Sequence, residues 1–257
     1  MTLSVVLAAL AAGAAIGLVL GLVGGGGSIL AVPLLVYGVG LQSTHAAIGT
    51  AAVAVALNAA LGLAGHARAG HVKWNCALVF AASGILGAAA GAELGKIVDG
   101  KSLLIAFGLL MIGVGIAMLV PRTGADDPGV HLTRTSAGHL LPRLVPAGGG
   151  VGLAAGFFGI GGGFLIVPAL RRATAMPMVY AVGSSLVAIV AMGATTAASY
   201  AVSGYVRWDI TALLVLGGAL GAVAGLLAGA RLEARKGVLE RLFALLVIAV
   251  GAFVALG

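Results

Sequence analysis

Apolar runs of about twenty residues follow one another along this chain with almost no charge inside them, and that restricts the fold more than any other feature. A helix needs about 20 apolar residues to cross a hydrocarbon core. Runs at roughly 45–66, 74–95, 102–120, 179–202, 209–230 and 238–256 reach that length. Of the 257 residues 61% are hydrophobic and 8% charged, against roughly 25% charged in soluble domains. A water-exposed globule would lack the polar material to cover itself, and so hydrophobic a chain cannot stay disordered. The expected fold class is an all-α polytopic membrane protein, with the lipid bilayer as its surroundings.

The formal charge of +7 comes from 14 Lys and Arg against 7 Asp and Glu. These basic residues sit in short connections between apolar runs, where topology signals are expected. No segment builds the continuous basic face that nucleic acid requires, so none is expected as a partner. The single Cys76 has no second cysteine to pair with, and no Cys/His spacing resembles a metal site. Neither a metal nor a cofactor is expected, and no nucleotide-binding P-loop is present. The first 23 residues lack a basic leader and a distinct cleavage site. They read as a mature membrane segment, in a multi-pass protein of the cell (inner) membrane.

Two stretches depart from the simple pattern. Residues 3–38 form a long apolar run interrupted by Gly24, Gly25, Gly26 and Gly27. Residues 144–170 form another, interrupted by Gly159, Gly161, Gly162 and Gly163. The run Gly21–Pro33 (GLVGGGGSILAVP) matches Gly156–Pro168 (GFFGIGGGFLIVP) at an offset of 135. Ala47–Thr50 (AIGT) matches Ala181–Ser184 (AVGS), and Gly70–Asn75 (GHVKWN) matches Gly204–Asp209 (GYVRWD), both at an offset of 134. Three motifs in one order at near-constant offset indicate internal duplication, which is typical of transporters. The expected organisation is a first transmembrane repeat (1–120), a hydrophilic linker (121–143) and a second repeat (144–257), each repeat opening with a glycine-broken helix followed by three transmembrane helices.

Charge counting weighs the two ways of arranging such repeats. If every run crosses fully, the repeats are parallel and the basic residues divide six against eight. If each broken segment enters and leaves on one side, the repeats are inverted. Arg68, Lys73, Arg122, Arg134, Arg143, Arg171, Arg172, Arg231, Arg235, Lys236 and Arg241 then share one side, leaving Lys96, Lys101 and Arg207 on the other, eleven against three. The positive-inside rule favours inversion. Against it, 3–23 is long enough to cross alone whereas 144–158 is not.

Clustered glycines unwind a helix, since each costs about 1 kcal/mol relative to Ala. Unwound backbone at membrane depth is tolerated only against protein or a water-filled cavity. Short helices beginning after the breaks, Ser28–Leu35 and Phe164–Leu170, would direct their N-terminal N–H groups at that cavity, which attracts anions. The candidate substrate-binding residues are therefore Gly24, Gly25, Gly26, Gly27, Ser28, Gly159, Gly161, Gly162 and Gly163, with the hydroxyls of Thr50, Ser184 and Ser185 on the runs that follow. The competing readings are close helix packing for the glycines and local helix bonding for the hydroxyls, as also for Asn58, Thr195 and Thr196. Packing is the expected role of Gly13, Gly17, Gly21, Gly87, Gly91, Gly221, Gly225 and Gly229. Glu93 is the one acid well inside an apolar run, and so the proton-coupling candidate, although Lys96 nearby fits an interfacial pair. His45, His66 and His71 are expected to be solvated. Trp74 and Trp208 are expected as interfacial anchors, and Asn75 and Asp209 as caps of the helices that follow them.

The Gly-rich, Pro-ended motif near the start of each half and the G-x-V-x-W motif resemble the sulfite exporter TauE/SafE family of membrane permeases. The resemblance covers the chain outside 121–143. It implies a secondary transporter with duplicated halves, moving sulfite, sulfonates or related small sulfur-containing anions. In the second half Ile160 interrupts the glycine run and Tyr205 stands in place of His71, so the two halves of a site would differ chemically. Export by alternating access is the expected function, with uptake or a passive anion channel as the alternative. An intramembrane enzyme is the remote reading, because no histidine lies mid-run to activate a serine. The many small residues permit a homodimer without requiring one.

Overall fold

In a computed structural model the chain is described over residues 2–23, 25–119, 127, 129–160, 163–231 and 236–256. Among these residues every regular element is helical. The first half contains α1 (Leu3–Val23), a 3₁₀ turn (Gly25–Leu30), α2 (Ala31–Pro33), a π turn (Leu34–Gly38), α3 (Thr44–Arg68), α4 (Trp74–Ile97) and α5 (Gly100–Leu119). The second contains α6 (Ala137–Phe158), α7 (Gly163–Thr174), α8 (Met178–Val202), α9 (Trp208–Arg231) and α10 (Lys236–Leu256). Seven described helices are long and apolar enough to cross a membrane, and the apolar part of α10, Phe243–Leu256, is shorter. Leu86, Leu109, Leu220 and Leu227 are exposed on outer faces. Such an apolar exterior suits lipid and not water.

One boundary differs from expectation. Residues 137–143 belong to α6 and not to the linker. Pro142 and Arg143 disguise the helix, but Leu140 and Leu144, four residues apart on one face, are both buried. The limb before the second break is thus 22 residues long, against 21 in α1. Both limbs are full length.

Helix packing follows the glycines. Gly17 of α1 lies against the Gly218 carbonyl of α9, and Gly152 of α6 lies against the Gly84 carbonyl of α4. Gly13 faces Leu214 and Gly225 faces Gly21, so α1 and α9 run in the same direction. Gly148 faces Phe80 and Gly156 faces Ala88, so α6 and α4 do likewise. Each position has its counterpart 134 or 135 residues along the chain. Packing is therefore the role of Gly13, Gly17, Gly87, Gly91, Gly221 and Gly225, whose absent side chains let backbones touch. The surroundings of Gly229 lie outside what is described.

The central helices run oppositely. Gly49 of α3 faces Tyr200 of α8, Gly193 of α8 faces Ala56, and Gly62 faces Leu186, which is antiparallel packing. In α5 and α10, Gly108 faces Gly251 and Gly115 faces Ala244, again antiparallel. These contacts sort the helix ends. At the Thr44 end lie the starts of α3, α5 and α9 with the ends of α4, α6 and α8. At the Arg68 end lie the end of α3, the starts of α4, α6, α8 and α10, and the end of α7. Asp99 caps α5 at the Thr44 end, accepting the Lys101 N–H at 2.8 Å. The Ser102 hydroxyl and these backbone donors hold its carboxyl below the ordinary value.

Candidate functional site

The two broken segments come together. The Gly25–Leu30 turn packs against both α1 and α7, and α7 packs against α6 and α8. Gly24, Gly161 and Gly162 lie outside the described residues. Gly25 and Gly26 open the 3₁₀ turn, and Gly26 faces the Phe243 ring of α10. Gly27 touches the Ile16 carbonyl and Leu20 of α1, so the returning chain lies directly on the limb it came from. Gly159 ends α6 at φ +64°, a conformation that favours glycine, with the Ile48 side chain against its Cα. Gly163 begins α7, and Gly163 and Ser28 are both buried.

The regular helix expected over Ser28–Leu35 is absent in the first half. The backbone passes from 3₁₀ to α to π winding, and the Val39 N–H reaches the Leu34 carbonyl at 2.9 Å. Pro33, which lacks a donor, sits where the winding loosens. The second half has the simpler form, a continuous α7 of 12 residues carrying Pro168.

Thr50 and Ser184 have a role that their position in the sequence does not reveal. The Thr50 hydroxyl of α3 accepts the Arg207 N–H at 3.1 Å, and the Ser184 hydroxyl of α8 accepts the Lys73 N–H at 2.9 Å. The neighbouring glycines complete each contact: Gly49 meets the Tyr205 carbonyl, and Gly183 meets the His71 carbonyl. The duplicated A-x-G-T/S and G-x-V-x-W motifs therefore form a reciprocal clasp, each half holding the loop of the other. One clasp lies at the Thr44 end and one at the Arg68 end. Both hydroxyls are fully buried, and each spends its oxygen on backbone while keeping a proton to donate.

Other expected residues separate from this arrangement. Ser185 donates to the Val182 carbonyl, Thr195 to Ala191 and Thr196 to Met192, so all three bond their own helix. Asn75 does not cap α4; its amide donates to the Leu132 carbonyl at 3.2 Å. Asp209 pairs with Arg207 at 2.8 Å. The clasp hydroxyls accept the N–H groups of the residues that precede α4 and α9, while the Asp209 carboxylate also takes the Ile210 N–H. Trp74 and Trp208 are exposed, as anchors should be.

His45, His66 and His71 are half-buried, less open to solvent than expected. The His45 Nε2 lies 3.2 Å from the Gly95 carbonyl, and the His66 and His71 rings are tilted against each other with centroids 5.7 Å apart. Their counterparts Tyr200 and Tyr205 form the equivalent pair at the opposite end, 6.1 Å apart. Glu93 is exposed, accepts from Lys96 at 2.7 Å and from the Ser199 hydroxyl at 2.9 Å, and so forms the interfacial pair. Asn58 and Met192 are likewise counterparts: Asn58 packs on Gly218 and Met192 on Gly84. The Asn58 Oδ1 is buried with no partner among the described residues. Only the offset of 134 links Asn58 to Met192, and the two side chains share no chemistry that would flag the pair.

Helices of this length and apolarity define a multi-pass membrane protein, and the comparisons with known proteins make it a membrane transporter. The profile described as "Sulfite exporter TauE/SafE" matches residues 9–254, and the chain belongs to that family. A "Probable membrane transporter protein" of Xylella fastidiosa (strain Temecula1 / ATCC 700964) is 46% identical over 260 residues, covering 99% of this chain and 96% of the relative. "Probable membrane transporter protein YunE" of Bacillus subtilis (strain 168) is 28% identical, over 78% of this chain and 81% of its own. No solved structure matches the chain.

Proposed function

We propose that the protein is a secondary transporter that exports sulfite, an organosulfonate or a related small sulfur-containing anion across the cell inner membrane, chemically unchanged. The observation that carries this reading is the meeting of two glycine-broken segments from opposite halves, the Gly25–Leu30 turn against α7. Helix starts at the two segments offer N–H donors, and no Lys or Arg is buried among the described residues, so an anion would be held weakly enough to be released. The halves act as inverted repeats. In support, the counterparts α3 and α8 run antiparallel, as do α5 and α10, as a two-fold axis lying in the membrane plane would give.

Alternating access then has a simple form. Each clasp latches one mouth: Thr50 with Arg207 at the Thr44 end, Ser184 with Lys73 at the Arg68 end. Opening to one side releases one clasp and keeps the other. A potential negative inside favours anion efflux by about 2.3 kcal/mol per charge per 100 mV, so efflux needs no chemical fuel.

The test is flux in proteoliposomes loaded with sulfite, thiosulfate, sulfoacetate or taurine. Saturable efflux of one sulfur anion, accelerated by the same anion outside and abolished by Gly26→Val and Gly162→Val, is the expected result. Flux that never saturates and ignores the trans anion identifies a channel. No flux of any sulfur anion overturns the substrate class.

A further inference from the structure

A cavity of about 390 Å³ opens at the Arg68 end, walled by Asp127, by residues of 129–136, by the start of α6 and by the end of α7. Arg143 of α6 and Arg172 of α7 both line it, with His131 and His139 beside them. The acid in its wall is Asp127, whose Oδ1 already accepts the Gly129 N–H at 2.9 Å. Neither arginine has an acidic partner among the described residues. The ion pairs there are Lys96–Glu93 and Arg207–Asp209, both at the opposite end. Lys73 stands beside this wall, its ammonium 3.1 Å from His131 Nε2 and 4.5 Å above the Tyr180 ring.

Basic residues at this end also serve orientation in the membrane, but orientation asks only that they lie beyond the helix ends. It does not ask two helices to bring an arginine each to one concave, water-accessible wall. Guanidinium presents a rigid fork that matches paired oxygens of an oxyanion. The helix that ends in its wall starts at the second break. The 12 residues of α7 rise about 18 Å from its wall to the break at Gly159–Gly163.

We infer that this cavity is an anion-recruiting vestibule, in which Arg143 and Arg172 bind a small free oxyanion or sulfonate. Its part in loading the glycine breaks rests on the transport reading above; the binding itself does not.

The full-length protein, ¹⁵N-labelled at arginine in phosphatidylcholine nanodiscs, is titrated with sulfite and with methanesulfonate. The Nε–H signals of Arg143 and Arg172, assigned through Arg143→Lys and Arg172→Lys, are expected to move saturably and together. Arg172→Lys is expected to weaken the response of Arg143 about tenfold, since the ammonium keeps the charge and loses the fork. Raising the salt should weaken both, as exposed charges are screened. Signals that stay still, or a response unchanged by the partner substitution, overturn the vestibule. So do signals that move only when phosphatidylglycerol replaces part of the lipid, because the site then holds a lipid phosphate. If proteoliposomes transport no anion while the paired response persists, the transport reading fails and the vestibule stands.

Discussion

Thr50 and Ser184 concentrate the logic of the molecule at the scale of single residues. Each is a buried hydroxyl on a central helix, and each accepts the backbone N–H of the residue before a tryptophan in the other half. Removing the hydroxyl strands a buried donor, which costs about 1–3 kcal/mol. Thr50→Val and Ser184→Ala are each expected to lower the midpoint of thermal unfolding in detergent, and Thr50→Ser to restore it. If the clasps also latch the mouths, the two variants bias the protein toward opposite conformations, and fluorescent probes at the two ends should report opposite changes in distance. Both residues were legible as matched, buried and polar. Their partners were not, because 157 and 111 residues separate donor from acceptor.

Among elements, close approach is set by what glycine lacks. The stripe Gly13, Gly17 and Gly21 recurs as Gly148, Gly152 and Gly156. Each stripe seats a helix of the opposite half, α9 on α1 and α4 on α6. A side chain at Gly17 or Gly152 would enter the facing backbone, so Gly17→Val and Gly152→Val should each destabilise by about 1–3 kcal/mol or more through overpacking. Gly113 of α5 has open space around its Cα. Gly113→Ala is therefore expected to stabilise by up to about 1 kcal/mol through helix propensity. Chemical unfolding of the three variants checks both statements. At the breaks Gly27 and Gly159 are close-packed in the same way, against Ile16 and Ile48.

The charges decide how the whole molecule sits in its membrane. Positions 68, 73, 134, 143, 171, 172, 231, 236 and 241 gather at the Arg68 end, whereas 96, 101 and 207 lie at the Thr44 end. With inverted repeats and the Arg68 end cytoplasmic, Lys101→Cys should react with a membrane-impermeant maleimide in intact cells. Arg172→Cys should react only in inverted vesicles, and the buried Cys76 should stay silent. Labelling of both from one side would exclude the arrangement.

Apolar run length and the scarcity of charge determined the membrane-spanning helical class, because hydrocarbon admits no other use for such segments. The offset of 134 and 135 between motifs made the duplication visible, since both copies kept the residues that their backbone geometry requires. What the motifs are for was decided only by the tertiary structure. The A-x-G-T/S motif of one half holds the G-x-V-x-W loop of the other, and the glycine stripe of α1 serves α9 and not a neighbour in the chain. The sequence also concealed the first turns of α6, where Pro142 and Arg143 outweigh Leu140 and Leu144 in a linear reading. Contacts between residues far apart in the chain carry no local periodicity, so only the packed helices can display them.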